Sequence, residues 1–116
     1  MKNILIVSAT SGNNYKLAQE LENVVKTKEE NYSFINLDDF SIPLYSPKIE
    51  KEISCEDISK LDKLFQDADG FIFCAPEYNG SIPPILTNAI AWISVKTSNW
   101  RGAFNGKSAL ICTHSG

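Results

Sequence analysis

The stretch Ile4–Val25, ILIVSATSGNNYKLAQELENVV, carries the pattern on which the fold rests. Ile4 to Val7 is a continuous apolar run rich in β-branched residues, as a strand buried on both faces requires. Leu17, Leu21, Val24 and Val25 then recur at i, i+4, i+7 and i+8. Gln19, Glu20, Glu22 and Asn23 fall on the other side, so this segment reads as a helix with one apolar stripe. Between strand and helix lies SATSGNN, Ser8 to Asn14, which is polar and follows neither period.

The same alternation continues outward. Tyr32, Phe34, Ile35 and Leu37 read as a second strand, followed by a loop broken by Pro43 and Pro47. Ile58, Leu61, Leu64, Phe65 and Ala68 make a second helix stripe, Gly70 punctuates, and Phe71 to Ala75 is a third strand. Pro83-Pro84 opens a third helix, where proline is tolerated, with Ile85, Leu86, Ala89, Ile90 and Ile93 on its apolar side. Ser108 to Cys112 is a fourth strand. The order βαβαβαβ, with strands apolar on both sides, predicts a parallel α/β sheet with helices on both faces.

At 116 residues the chain is expected to form a single domain, residues 1–116. Ala109 to Cys112 is apolar on both sides and expects cover on both faces and a strand beside it. Either the chain is part of a longer protein, or a partner chain completes the sheet. The first is favoured, because small α/β sheets bury little surface for their size.

Composition narrows the function. Eleven Lys and Arg against fourteen Asp and Glu give a net charge of −3. No basic stripe is present for phosphate contacts, so no nucleic-acid partner is expected. The apolar runs are too short to span a membrane or to form a signal-peptide core, so a cytoplasmic location is expected. Cys55, Cys74 and Cys112 show no CxxC spacing, which argues for reduced thiols and against a metal site.

In an open α/β sheet, ligands bind at the carboxyl ends of the strands. The first candidate loop combines hydroxyls at Ser8, Thr10 and Ser11, a tight backbone at Gly12, and amides at Asn13 and Asn14. A helix N-terminus follows, with free N–H groups and a partial positive charge. Such a cradle suits a phosphate. The same residue types also suit an N-cap and turn, but a cap needs only one of them. Neither GxxxxGK[ST] nor GxGxxG is present, which disfavours ATP, GTP and a Rossmann-type NAD site. A monophosphate held by neutral donors remains, and FMN is the obvious candidate.

The second loop is CAPEYNGSIPPIL, Cys74 to Leu86. Pro76 cannot donate to a ladder and ends the third strand. Asn79-Gly80 is a strong turn signal, and Gly80 lets backbone approach a flat ligand. Tyr78 can stack on a ring or line its edge. Glu77 suits a helix-dipole partner better than a catalytic acid. His114, the single histidine, lies at a strand end, and a lone histidine is weak support for catalysis.

The run PEYNGSIPPILTNAIAW resembles the signature of the NADPH-dependent FMN reductase family. Pro76, Glu77, Tyr78, Asn79, Ser81, Pro83, Leu86, Asn88, Ala89 and Trp92 match it. Thr87 and Ala91 depart from it, standing where the pattern has Lys and Asp. INLDDFSIPLYSP and FNGKSALICTHSG are similar to further family segments. The first loop lacks the arginine of many relatives and looks more like that of flavodoxins.

The resemblance implies a flavodoxin-like, doubly wound sheet of order 2-1-3-4, with a final helix-strand-helix missing. It implies FMN held by Ser8, Thr10, Ser11, Gly12, Asn13, Asn14, Pro76, Glu77, Tyr78, Asn79, Gly80 and Ser81. Thr113, His114, Ser115 and Gly116 would supply part of a third flavin-contacting loop. The implied activity passes a hydride from NAD(P)H to flavin N5 and on to a quinone, azo or flavin acceptor, with no catalytic residue from the protein. A flavodoxin-like electron carrier and a fragment that binds no flavin are the alternatives. The resemblance further implies a homodimer or tetramer, with Trp92, Trp100 and Phe104 expected at or near a subunit interface.

Overall fold

The structure is a computed structural model that describes residues 2–28, 30–96 and 100–114, without the side chains of Lys96 and Trp100. Its elements run β1 (Asn3–Ser8), α1 (Asn13–Thr27), β2 (Asn31–Asn36), a 3₁₀ turn (Leu37–Asp39), α2 (Pro47–Glu52), α3 (Glu56–Asp67), β3 (Gly70–Cys74), α4 (Pro84–Lys96), α5 (Trp100–Phe104) and β4 (Ser108–Cys112). The sheet is four-stranded in the order β2-β1-β3-β4, with every pairing parallel. This is the topology of a flavodoxin-like sheet.

Register explains why the strands read as unbroken apolar runs. Ile6 pairs with Phe34 on one side and Ile72 on the other, and Ile72 pairs with Leu110. Successive side chains alternate between two cores. Ile6, Ile72 and Cys74 face α1, packing with Ala18 and Val25. Leu5, Val7 and Phe71 face α3 and α4, packing with Leu61, Phe65, Leu86, Ala89 and Ile93. β1 and β3 are covered on both sides, as their composition requires.

Four expectations need correction. The buried positions of α1 are Asn14, Ala18 and Val25, with Leu17 and Leu21 packed beside them. Val24 is 53% exposed, because it lies one position round from the Ala18–Val25 line. The stretch read as a loop holds α2. Its Ser46 Oγ accepts from the Ile49 N–H at 3.2 Å, and Pro47 occupies the first turn. A further short helix, α5, precedes β4.

The fourth correction concerns Trp92, which is fully buried and so cannot present an interface surface. Its indole Nε1 donates to the Pro43 carbonyl at 2.8 Å, and the Tyr45 ring meets it edge-on at 5.1 Å. Asn88 completes the anchor: its Oδ1 accepts from the Tyr45 N–H at 2.8 Å and its Nδ2 donates to Pro43 O at 3.0 Å. These α4 residues hold down the long loop after β2. Phe104 is half-buried, 5.9 Å from Phe65 and 6.4 Å from Phe71 between ring centroids. The Trp100 side chain lies outside the described residues.

Of the two edge strands, β2 and β4, β4 is the less covered among the described residues. Leu110 is 52% exposed on one face and Ile111 78% exposed on the other. The apolar character of this strand is therefore matched by no cover within the described chain.

Candidate functional site

Parallel pairing brings the carboxyl ends of all four strands to one edge of the sheet, and three loops leave β1, β3 and β4 there. The first begins still bonded to the sheet, with the Ala9 N–H donating to Cys74 O at 2.9 Å. Ser8 is buried, and its Oγ donates to Thr10 O at 2.6 Å, which curls the backbone. Ser11 Oγ donates to Asp38 Oδ2 at 2.6 Å and accepts from Asn36 Nδ2 at 3.0 Å. Asn36 in turn accepts the Asp38 N–H at 3.0 Å. The loop is thus fastened to the end of β2.

Gly12 caps α1 with its backbone alone, and no side chain bonds the first-turn N–H groups. A Cβ at Gly12 would meet nothing within 4 Å, so the space over it is open. Gly12 and Asn13 are exposed and Thr10 is half-buried beside them. Asn14 points inward, 3% exposed, and grips the third loop. Its Oδ1 accepts the His114 N–H at 2.9 Å and its Nδ2 donates to His114 O at 3.3 Å. Two loops a hundred residues apart in sequence are joined by one amide.

The second loop leaves β3 after the Ala75 N–H donates to Cys112 O at 3.1 Å. Tyr78 and Ser81 then exchange backbone hydrogen bonds, each 3.0 Å, around a two-residue turn. Asn79 (φ 54°) and Gly80 (φ 73°) both take the left-handed conformation that a type I′ turn needs, as the Asn-Gly pair anticipates. Pro83 O accepts from the Leu86 and Thr87 N–H groups at 3.0 and 3.3 Å and launches α4. Glu77, Tyr78, Asn79, Gly80 and Ser81 are all exposed, and the space over Gly80 is open.

A cleft of about 450 Å³ opens beneath this hairpin. Pro76, Glu77, Gly80 and Ser81 form one wall, Leu86 and Ile90 of α4 another, and Ile111 to Thr113 the third. It has the apolar lining with sparse polar groups that suits a small organic ligand. Thr113 and His114 are exposed, and of the two Thr113 lines the cleft; Ser115 and Gly116 lie outside the described residues. No group of three or more metal-ligating side chains occurs among the described residues.

The polar side chains of the first loop divide into two sets. Ser8, Ser11 and Asn14 are engaged in holding the backbone and the neighbouring loops. Thr10 is half-buried and Asn13 exposed, while the Tyr15 and Lys16 N–H groups both donate to Gly12 O, at 3.0 and 3.3 Å. Asn36 and Asp38 belong to the same network, and sequence reasoning did not single them out. Their signal was available: Asn36 and Asp38 flank Leu37 at the carboxyl end of the Phe34–Ile35 run. The apolar floor was missed for a different reason, since Leu86, Ile90 and Ile111 look like any core residue in sequence.

A model of the family described as NADPH-dependent FMN reductase matches residues 1–116. The chain belongs to the NADPH-dependent FMN reductase family. Within this family of oxidoreductases, the chain is 33% identical to the 2-hydroxy-1,4-benzoquinone reductase of a Burkholderia species, over 70% of this chain and 42% of the relative. It is 36% identical to the quinone reductase of Escherichia coli K12, over 64% of this chain and 38% of the relative. An uncharacterised Mycoplasma pneumoniae protein is 30% identical over 94% of this chain and 63% of its own length. The chain therefore spans less than two thirds of these relatives.

Solved structures share the fold. The NAD(P)H:(acceptor) oxidoreductase FerB of Paracoccus denitrificans superposes with a TM-score of 0.76 at 22% identity, over 97% of this chain and 60% of that one. An FMN-dependent NADH-azoreductase of Bacillus anthracis, solved with FMN, gives 0.71 at 19% identity, over 99% and 70%. In this FMN reductase family member the signature run is shared between two tasks. Pro76 to Ser81 shape the cleft, whereas Asn88 and Trp92 anchor the loop after β2.

Proposed function

We propose that this chain is an FMN-dependent NAD(P)H oxidoreductase that delivers electrons to a small-molecule acceptor of the quinone, azo or flavin type. The observation that carries this reading is the convergence of three strand-end loops, with Asn14 binding the third to the first, beside a cleft walled by Pro76–Ser81. The names of the relatives support a quinone-like acceptor.

The residues present fit FMN. Thr10 Oγ, the Asn13 amide and the N–H groups at the start of α1 offer neutral donors for a phosphate. Gly12 and Gly80 leave open space where a side chain would stand. The backbone from Pro76 to Ser81 and the Tyr78 ring, 50% exposed, offer a surface for a flat ring system. Thr113 and His114 complete the set among the described residues. Bound flavin would supply the hydride-accepting and electron-donating chemistry. The protein's share is to hold the phosphate at α1, to present rigid hairpin backbone to the ring and to shield one side with Leu86, Ile90 and Ile111. Burial, with the Cys112 thiol beside it, pushes the Cys74 pKa up to about 11, so at neutral pH this side chain is held as the protonated thiol.

Titration with FMN, followed by quenching of flavin fluorescence, tests the binding half. Saturable 1:1 quenching is expected, and its absence identifies a chain that folds without binding flavin. Mixing the holoprotein with NADH or NADPH and a benzoquinone tests the other half. Turnover without an added reductase supports the enzyme, whereas binding without nicotinamide oxidation supports an electron carrier. Assembly as a homodimer belongs to the same reading, and the exposed Leu110 and Ile111 favour self-association.

A further inference from the structure

Cys74 and Cys112 are register partners on the neighbouring parallel strands β3 and β4. Both side chains lie on the α1 face of the sheet, in one apolar cluster. Neither cysteine is in a disulfide. Register partners on adjacent strands stand roughly 4.7–4.9 Å apart. A disulfide requires Cα atoms about 4.4–6.8 Å apart, so the backbone already meets that requirement. Cys74 is fully buried, while Cys112 is partly exposed on the open edge strand. The pair therefore joins a partly exposed residue on the edge strand to a buried one placed beside it. Cys55 lies elsewhere, at the start of α3.

We propose that Cys74 and Cys112 form a dithiol–disulfide site that a peroxide closes into an intramolecular cross-strand disulfide. In the first step the Cys112 sulfur attacks the peroxide O–O bond, an S–OH group forms and one water leaves with the thiol proton. In the second the Cys74 sulfur attacks the Cys112 sulfur, the S–OH bond breaks and the hydroxide leaves as water with the Cys74 proton. Two thiols are oxidised by one electron each, and one hydrogen peroxide is reduced to two waters. The site is independent of flavin. Its product ties together the two strands from which the second and third loops leave, at the last register pair before those loops.

The test treats the full chain, without flavin, with hydrogen peroxide. The expected product has lost two hydrogens by intact mass, and its free thiols in denaturant fall from three to one. After trypsin under non-reducing conditions, the Leu64–Lys96 peptide is joined to the peptide that begins at Ser108. Cys55→Ser retains this product, and Cys74→Ser and Cys112→Ser each lose it. Should the buried Cys74→Ser variant fail to fold, Cys112→Ser at the partly exposed position carries the comparison. The proposal is overturned by a product that needs Cys55, or by an oxygen adduct on Cys112 that persists while Cys74 remains titratable.

Discussion

Trp92 and Cys74 are the residues whose roles differ most from what their chemistry suggests in isolation. Replacing Trp92 with alanine empties a fully buried site, and the expected loss is about 3–5 kcal/mol. Phenylalanine should cost less, because Pro43 O keeps its bond from Asn88 Nδ2 at 3.0 Å when the indole N–H is removed. Urea unfolding of both variants measures the difference; a tryptophan at an interface would instead make stability depend on protein concentration. Cys74 contributes a pH dependence. Its folded pKa of about 11 lies above the ordinary 9.0, so the unfolded chain releases the proton first. Stability from this group is complete below about pH 9 and is lost as the pH rises towards 11. Lys107, whose pKa burial lowers, contributes with the opposite sign in the alkaline range. The check is therefore the difference in unfolding free energy between the native chain and Cys74→Ala across pH 8–11, which should shrink as pH rises.

Among the elements, α1 and the loop before it show how a local signal becomes a long-range one. Five polar side chains beside a glycine announced a cradle, and the structure assigns three of them to holding it in shape. Asn14 is the case with the clearest consequence. Alanine there removes both hydrogen bonds to the His114 backbone, at a cost of about 1 kcal/mol, because the exposed His114 groups regain water. Faster amide hydrogen exchange at His114, with the α1 amides little changed, is the expected result. The strands and the three long helices were legible from period alone. α2 and α5 were not, since six and five residues give too little periodicity to separate a helix from a turn. The hairpin at Tyr78–Ser81 was legible as a turn from Asn79-Gly80, but its reciprocal backbone pairing became visible only in the structure.

At the scale of the whole molecule, the sheet is well covered at β1 and β3 and open at β4. Leu110 and Ile111 stand exposed on opposite faces of that edge, which makes it the surface on which self-association is expected. Lysine at Ile111 should change stability by no more than about 0.5 kcal/mol, since that side chain is already 78% exposed. It should also lower the weight-average mass at high concentration in equilibrium sedimentation. Equal association by the native chain and the variant would show that another surface is used. The mild net charge of −3 leaves the apolar edge as the stronger driver of contact.

The amino-acid sequence by itself determined the α/β class, the existence and order of the main elements, though not their exact limits, and the polar loops at the strand ends. These follow from local rules: apolar period, turn chemistry at Asn79-Gly80, and proline at the start of α4. The signature from Pro76 to Trp92 also pointed to the family that the full-length match established. Only the tertiary structure decided how those residues divide their work. Whether a polar group meets a ligand or a neighbour depends on which strand lies beside it. Ser11 finds Asp38 across 27 residues, Asn14 finds His114 across 100, and Trp92 finds Pro43 across 49. Cys74 finds Cys112 because parallel pairing sets them side by side. No period in the chain encodes such meetings; they arise from the order β2-β1-β3-β4 and its register.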